Sequence, residues 1–315
     1  MAITYGERPD ARRSYELTGS RTRDFGETII QGVLLACALL SIATTFAIIY
    51  VLLDETIGFF QEVSFFDYAF GTNWSALIEP RSFGVLPLVW GTMVVAGVAA
   101  VIALPVGLGA AVYLSEYASP TIRSILKPTL EILAGVPTIV YGFFAVQWVT
   151  PQLQRILGEE RVEFFNAASA GIVVGIMVIP MVSSLSEDAM HAVPDSLREG
   201  AYGLGGTKFD VSLRVVIPAA LSGIVASFIL AISRAIGETM AVVLAAGSRP
   251  NLGLDPFEGF QTMTAFIVQV ALGDASAGSI EYRALFAVGM TLFAMTLVMN
   301  VISQALLARF RDVYQ

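Results

Sequence analysis

The sequence has almost no side chains of the kinds that hold metal ions or act as nucleophiles. Among its 315 residues, Cys37 is the only cysteine and His191 the only histidine. One cysteine excludes an internal disulfide framework and a thiolate metal site, and one histidine excludes histidine metal clusters. The sequence also lacks a Walker A pattern, GxxxxGK followed by Ser or Thr, so we do not expect it to hydrolyse ATP itself. We predict neither a metal nor a cofactor, and no enzymatic activity.

Charged residues are also scarce. They make up 14% of the chain, against 56% hydrophobic residues, and the mean hydropathy is +0.72. This balance is far from that of a soluble domain and is typical of a polytopic membrane protein. The charges that are present comprise 26 acidic and 18 basic residues. An acidic balance argues against a nucleic-acid partner and leaves membrane lipid as the main surrounding of the chain.

Six apolar runs are each long enough to cross the roughly 30 Å hydrocarbon layer, which takes about 20 helical residues. They lie at 29–53, 86–114, 132–154, 166–186, 219–247 and 284–308. The first run is too long for the apolar core of a signal peptide, so we expect it to be retained. We predict an all-α fold with six transmembrane helices: a tail at 1–28, a first helix at 29–53, a loop at 54–85, a five-helix core at 86–309 and a tail at 310–315.

Lysine and arginine are distributed unevenly among the connections between these runs. Twelve of the 18 lie in the two tails and in the second and fourth connections, whereas five lie in the other connections. Connections rich in Lys and Arg remain on the cytoplasmic side of a membrane. We therefore predict that both termini are cytoplasmic, that 54–85 is external and that the loop at 187–217 is cytoplasmic.

This fourth connection combines a short helix with a sharp turn. Leu197, Ala201 and Leu204 recur at helical spacing and predict one apolar face of about two turns, after which Gly205 permits a sharp turn. A helix of two turns is unstable by itself in water, so we expect it to dock on another protein. The alternative, that it lies alone on the membrane surface, is disfavoured by its small apolar face.

Two charged residues, Arg234 and Glu238, interrupt the fifth run. On one helix, residues four apart share a face and form a pair. An ionised side chain at the bilayer centre costs about 2.5–3.5 kcal/mol even on the most lenient scale. The pair is therefore either structural, offsetting its own insertion cost, or part of a pathway in which the guanidinium attracts an oxyanion.

The fourth connection also carries a family pattern. Glu199-Gly200-Ala201, then Gly205, then Val215-x-Ile217-Pro218 resemble the EAA loop of ABC importer permeases: Glu-Ala-Ala, three residues, Gly, nine residues, Ile-x-Leu-Pro. The departures at positions 200, 215 and 217 are mild. Longer strings resemble the membrane subunits of phosphate-specific (Pst) importers, among them SRAIGETMAV and AGVPTIVYGFF. GETMAV, the long N-terminal tail and the large first loop resemble the PstC-type subunit, and the resemblance covers roughly residues 83–309.

This resemblance implies a MetI-like permease fold and an ATP-driven phosphate importer. The implied partners are a PstA-type permease subunit, two cytoplasmic ATPase subunits and an external phosphate-binding protein. Arg234 and Glu238 would line the substrate pathway. The residues expected to contact the ATPase are Leu197, Glu199, Gly200, Ala201, Leu204 and Gly205.

Two alternatives remain open from the sequence. The first is a permease for another oxyanion, such as molybdate or sulfate. The second is a secondary transporter or channel driven by ion gradients, which would have no need of a docked two-turn helix.

Overall fold

The computed structural model describes the backbone of residues 21–311 and the side chains of residues 27–305. Of the tails predicted at 1–28 and 310–315, residues 1–20 and 312–315 lie outside the described residues, and the remaining residues are helical. The chain divides into two compact units, residues 1–51 and residues 52–315. Helix α1 (Arg21–Phe60) begins in the first unit and ends in the second.

Helices make up most of the second unit. The first group is α2 (Phe65–Phe70), α3 (Leu86–Val112), α4 (Pro120–Ala134), α5 (Thr138–Phe144), α6 (Thr150–Leu157) and α7 (Ala167–His191). The second group is α8 (Asp195–Gly203), α9 (Lys208–Val211), α10 (Ile217–Ala219), α11 (Leu221–Ile236), α12 (Met240–Ala245), α13 (Met263–Ala271) and α14 (Ile280–Arg311). Three π-helical turns continue or join these helices, at Tyr113–Tyr117, Ala145–Val149 and Ser212–Val216.

In the part of the chain that the structure describes, four helical segments are long and apolar enough to cross a membrane. They are Glu27–Phe60, Leu86–Tyr117, Ala167–His191 and Ile280–Ala305. Two further candidates are bent pairs: Pro120–Ala134 with Thr138–Leu157, bent by 85°, and Lys208–Ala219 with Leu221–Ile236, bent by 71°. Within residues 27–305, the six predicted apolar runs thus correspond to four straight spans and up to two bent ones.

The third and fifth apolar runs are not continuous helices. In the third run, α4 ends at Ala134 and the next helix begins after Pro137, because a proline disfavours helical geometry at the residue before it. In the fifth run, α11 ends at Ile236 and the chain is not helical again until α12. The prediction of one helix over 219–247 is wrong, and Gly237 at the break is the local reason, since glycine is a poor helix former.

The loop predicted at 54–85 is largely structured. After α1 and α2, strands β1 (Trp74–Ser75) and β2 (Ser82–Phe83) pair antiparallel, with Trp74 opposite Phe83, and form a small exception to the predicted all-α fold. The Tyr68 ring contacts the Phe59 ring edge to face, with their centroids 5.5 Å apart. The Tyr68 hydroxyl hydrogen-bonds the Thr291 hydroxyl of α14 at 2.7 Å. These contacts hold the segment against α1 and α14.

Helices α3 and α7 form the central pair of the unit, and they approach each other through glycine. A Cβ added at Gly171 of α7 would lie 2.5 Å from Val98 Cβ of α3. Likewise, a Cβ added at Gly107 of α3 would lie 2.6 Å from Val182 Cβ of α7. Small residues at such positions let helices pack closely in a membrane. The two helices therefore behave as one packed body.

We predict that Gly171→Ala destabilises the protein, whereas Gly97→Ala does not. Overpacking typically costs about 1–3 kcal/mol, and Gly171 has no room for a methyl group. Gly97 lies on α3, and a Cβ added there meets nothing within 4 Å. Thermal unfolding of the detergent-purified subunit measures both variants. Equal unfolding midpoints for the two would contradict the close packing of α3 on α7.

Candidate functional site

The segment after α7 contains the short helix expected from its apolar spacing. Pro194 occupies the N-cap position of α8, with extended geometry and without a side-chain cap. The helix is nine residues long, too short to be stable by its own hydrogen bonds. Contacts with the rest of the chain therefore hold it in place.

A sharp turn follows α8, as the glycines predict. Gly205 has a φ of +85°, a conformation that costs residues with a Cβ about 1–2 kcal/mol. The Gly206 N–H donates to the Ala201 carbonyl at 3.1 Å and closes the turn. Thr207 then begins α9 with a capping box shared with Asp210. The chain reverses direction here within a few residues.

The structure separates the three apolar residues that were expected to share one face. Ala201 is partly buried against a cluster that includes Met190 and Val211, whereas Leu204 is 93% exposed and Leu197 is 39% exposed. Leu204 lies at the C-cap, where the chain leaves the helical register. One side of α8 thus packs on its own protein, and Leu204 projects into open space.

The remaining residues predicted to contact an ATPase border this projecting side. Glu199 and Gly200 are exposed, and a Cβ added at Gly200, Gly203 or Gly205 would meet nothing within 4 Å. The described part of the chain therefore leaves space around these glycines. Together, Leu197, Glu199, Gly200, Leu204 and Gly205 form an exposed surface, which we call the α8 surface.

Arg198 anchors α8. The sequence did not predict a functional role for this residue. Its Nη1 donates to the Val193 carbonyl at 2.6 Å, and its Nη2 donates to the Met190 carbonyl at 2.8 Å. Met190 lies in the last turn of α7 and Val193 two residues beyond its end, in the region where carbonyls have no following helical turn to pair with. An arginine shortly after a helix end is a sequence signal for this arrangement.

Arg234 and Glu238 are close in space but do not share a helix. Arg234 lies in the last turn of α11, and Glu238 follows the break at Gly237. The Arg234 Nη2 and Glu238 Oε2 atoms are 3.8 Å apart, with the Arg234 side chain 51% exposed and that of Glu238 3% exposed. The expectation of a pair along one helix face is therefore wrong in its geometry. The pair instead joins an exposed cation to a buried carboxylate at a helix break.

Polar groups from other helices hold this break. The Thr264 hydroxyl of α13 donates to the Glu238 carbonyl at 2.9 Å, and the Ala241 N–H approaches Glu238 Oε1 at 3.4 Å. The Thr92 hydroxyl of α3 accepts the Met263 N–H at 3.1 Å, which fixes the start of α13. Breaks at membrane depth are tolerated where side chains satisfy the freed backbone groups. Glu238 is thus held in place, while the Arg234 guanidinium faces outward.

A second buried carboxylate, Glu187, lies near the end of α7. Its Oε1 pairs with Arg123 and its Oε2 accepts from Lys127 Nζ at 2.8 Å, and both cations belong to α4. Lys127 also pairs with the exposed Asp188 at 2.9 Å. Both cations lie in the second connection, one of those that are rich in Lys and Arg, and the sequence indicated no partner for them. Among the described residues, no three His, Cys, Asp or Glu side chains are grouped so as to hold a metal ion.

Comparison with known proteins places this architecture in a family. Residues 103–312, more than half of the chain, match the family described as the inner membrane component of binding-protein-dependent transport systems. The chain belongs to this family. It is a multi-pass membrane protein and a transport subunit rather than an enzyme.

Curated relatives of this transport-subunit family match along most of the chain. A probable ABC transporter permease protein, YqgH of Bacillus subtilis, is 30% identical over 93% of this chain and 94% of its own. The phosphate transport system permease protein PstC of Mesorhizobium japonicum is 32% identical over 80% of this chain and 82% of its own.

A solved structure supports the fold of this transport subunit. A bacterial ABC transporter involved in the import of the polysaccharide alginate matches with a TM-score of 0.62 and 14% identity, over 93% of this chain and 100% of that chain. At this low identity the likeness concerns the fold alone. The predicted ABC importer permease fold is confirmed.

We predict that Glu187→Ala destabilises this transport subunit more than Asp188→Ala does. Hydrogen bonds to charged groups contribute about 1.5–3 kcal/mol each, and removing Glu187 leaves Arg123 and Lys127 without their buried acceptor. Asp188 makes an exposed ion pair, which is worth about 1 kcal/mol or less. Chemical unfolding of the two purified variants measures the difference. An equal loss of stability would contradict the role of Glu187 in holding α4 on α7.

Proposed function

We propose that the chain is the PstC-type permease subunit of an ATP-driven phosphate importer. The observation that carries this proposal is the α8 surface. Helix α8 is anchored to the end of α7 through Arg198, and its opposite side is exposed. Such a surface is suited to the docking of an ATPase subunit. A transporter driven by an ion gradient binds no ATPase and has no need of a docking helix. The named relatives support phosphate as the substrate.

In this proposal the α8 surface lies in the cytoplasm. The uneven distribution of lysine and arginine supports that orientation, in which both termini would also be cytoplasmic. The ATPase subunit would receive Leu204 and the glycines beside it in a cleft. The anchor at Arg198 would pass the resulting force to the end of α7, since its two hydrogen bonds join α8 to that helix.

The substrate pathway would run along the exposed side of Arg234. A planar guanidinium recognises phosphate through two parallel hydrogen bonds, and half of this side chain is exposed. Glu238 would limit how tightly the anion is held, because its buried carboxylate competes for the same guanidinium. The 3.8 Å separation lies beyond hydrogen-bonding distance, so the guanidinium would keep donors for an incoming anion.

The partners follow from this role. They are a PstA-type permease subunit, two cytoplasmic ATPase subunits and an external phosphate-binding protein, with membrane lipid around the apolar helices. The loop at 54–85 would then face outward, beside the segments that follow α6 and α12.

Uptake by the reconstituted complex tests the proposed function. This chain, with its second permease and ATPase subunits and the binding protein, is placed in liposomes without an ion gradient. We expect ATP-dependent uptake of phosphate that excess sulfate or molybdate does not block. Blocking by either anion would support a different oxyanion as substrate, and uptake that needs a gradient but no ATP would support a secondary transporter.

We predict that Arg234→Lys lowers phosphate uptake by about tenfold or more while the complex assembles normally. Lysine keeps the charge but loses one of two hydrogen bonds to the anion, each worth about 1.5–3 kcal/mol with charged groups. Arg249→Lys is the matched control, because Arg249 is also exposed and pairs at 3.7 Å with Glu163. Uptake and copurification of the subunits are measured for both variants.

The result for Arg234→Leu separates the two roles of the pair. If Arg234→Lys transports like the parent and Arg234→Leu fails only because assembly is lost, the pair is structural and the pathway lies elsewhere. If Glu238→Gln also impairs uptake in an assembled complex, the counter-charge is part of the pathway.

A further inference from the structure

Helix α3 does not simply end near the α8 surface but continues into the π-helical turn Tyr113–Tyr117. This turn lies against the segment that contains α8 and α9. It reads Tyr-Leu-Ser-Glu-Tyr, and its second residue, Leu114, is buried. The sequence did not indicate a role for this turn, because a single Glu after an apolar run is typical of a helix end exposed to solvent.

Two contacts fasten the turn to the segment. Arg198 Nη2 of α8 donates to Glu116 Oε1 at 3.2 Å, and Lys208 Nζ of α9 lies 5.6 Å from the centre of the Tyr117 ring. The Ser115 hydroxyl also donates to Glu116 Oε1 at 2.9 Å, which fixes the carboxylate. The turn thus contacts both helices that flank the sharp reversal at Gly205.

The Arg198–Glu116 contact is largely shielded from solvent. The Glu116 side chain is 6% exposed and that of Arg198 is 15% exposed. Exposed ion pairs contribute little, but a shielded pair cannot exchange its partner for water without cost. A displacement of Arg198 therefore moves Glu116 with it.

The Arg198 guanidinium connects α8 to the ends of two other helices. Arg198 binds the Met190 and Val193 carbonyls at the end of α7 and the Glu116 carboxylate at the end of α3. Helices α3 and α7 also pack through glycine along their length. A push on α8 would therefore reach both helices of the central pair at once.

We propose that Glu116 is a positioning residue that transmits movement of α8 to α3 during transport. This proposal rests on the proposed function of the α8 surface as the ATPase contact. Without Glu116, α8 would still be anchored to the end of α7 through the two carbonyls, but the packed pair would receive the force firmly at one of its ends instead of at both. On the α3 side only the weaker contact between Lys208 and the Tyr117 ring would remain. ATP hydrolysis would then proceed with less transport for each ATP consumed.

Glu116→Gln is the variant that tests this transmission. Glutamine keeps the size and one acceptor oxygen, while Arg198 keeps the exposed Asp195 at 3.2 Å as counter-charge. We expect normal copurification of the ATPase subunits, normal basal ATP hydrolysis, and about a tenfold rise in ATP consumed per substrate ion imported, within the usual range of coupling between sites. The complete complex in liposomes is used throughout.

Glu62→Gln serves as the matched control. Glu62 pairs with Arg283 at 2.7 Å and is partly exposed, and it lies far along the chain from the α8 surface. This variant is expected to leave the ratio of ATP to substrate unchanged. A similar rise in both variants would overturn the proposal, because the effect would then follow from any lost ion pair.

Lys208→Gln keeps the proposal testable if Glu116→Gln fails to assemble. Lys208 is exposed, so its loss does not threaten folding, yet it removes the contact with the Tyr117 ring. We expect about a threefold rise in the ratio, in keeping with the modest strength of cation–π contacts. The proposal would be overturned if Lys208→Gln left the ratio of ATP consumed to substrate imported unchanged and Glu116→Gln either did not assemble or also left that ratio unchanged.

The ratio of ATP consumed to substrate imported also distinguishes a failure of this proposal from a failure of the proposed function. If the parent complex imports sulfate instead of phosphate, the ratio is measured with sulfate and the role of Glu116 is tested unchanged. If the parent chain does not bind ATPase subunits, the proposed function fails before any variant is compared.

Discussion

The close approach of α3 to α7 is the constraint on which the other features depend. Lipid offers no hydrophobic drive for one helix to pack on another, so association relies on dispersion contacts at short range. Gly171 and Gly107 provide that range by bringing Val98 and Val182 against bare backbone. A closely packed pair moves as a unit, and its two ends lead directly to α8 and to the turn at Tyr113–Tyr117.

Buried carboxylates occur where helices end or break. Glu116 follows α3, Glu187 lies near the end of α7, and Glu238 follows the break after α11. Each has a cation within hydrogen-bonding or ion-pairing distance, since an unpaired charge in a medium of low dielectric is costly. Two of these pairs fasten neighbouring segments, whereas the Glu238 pair leaves its cation exposed. In the proposed function, this exposed cation is the one that would meet the substrate.

The sequence predicted the features that depend on local pattern. The apolar runs predicted the membrane class, and the glycines after position 202 predicted the turn at Gly205. It did not predict the break after Ile236, because Gly237 is tolerated inside many helices and Thr264, which stabilises the break, lies 26 residues from Glu238. The inward position of Ala201 and the Arg198–Glu116 contact were missed for the same reason. Both depend on packing between segments that no local pattern encodes.

ATP-driven transport by this chain would require that the ATPase docks on the α8 surface. A photoreactive amino acid at Leu204, which is 93% exposed, tests this in the assembled complex, with Leu254, which is 81% exposed in the segment after α12, as the comparison. We expect position 204 to crosslink to an ATPase subunit and position 254 not to. Crosslinking of the ATPase to position 254, or none to position 204, would contradict both the docking surface and the orientation of the chain.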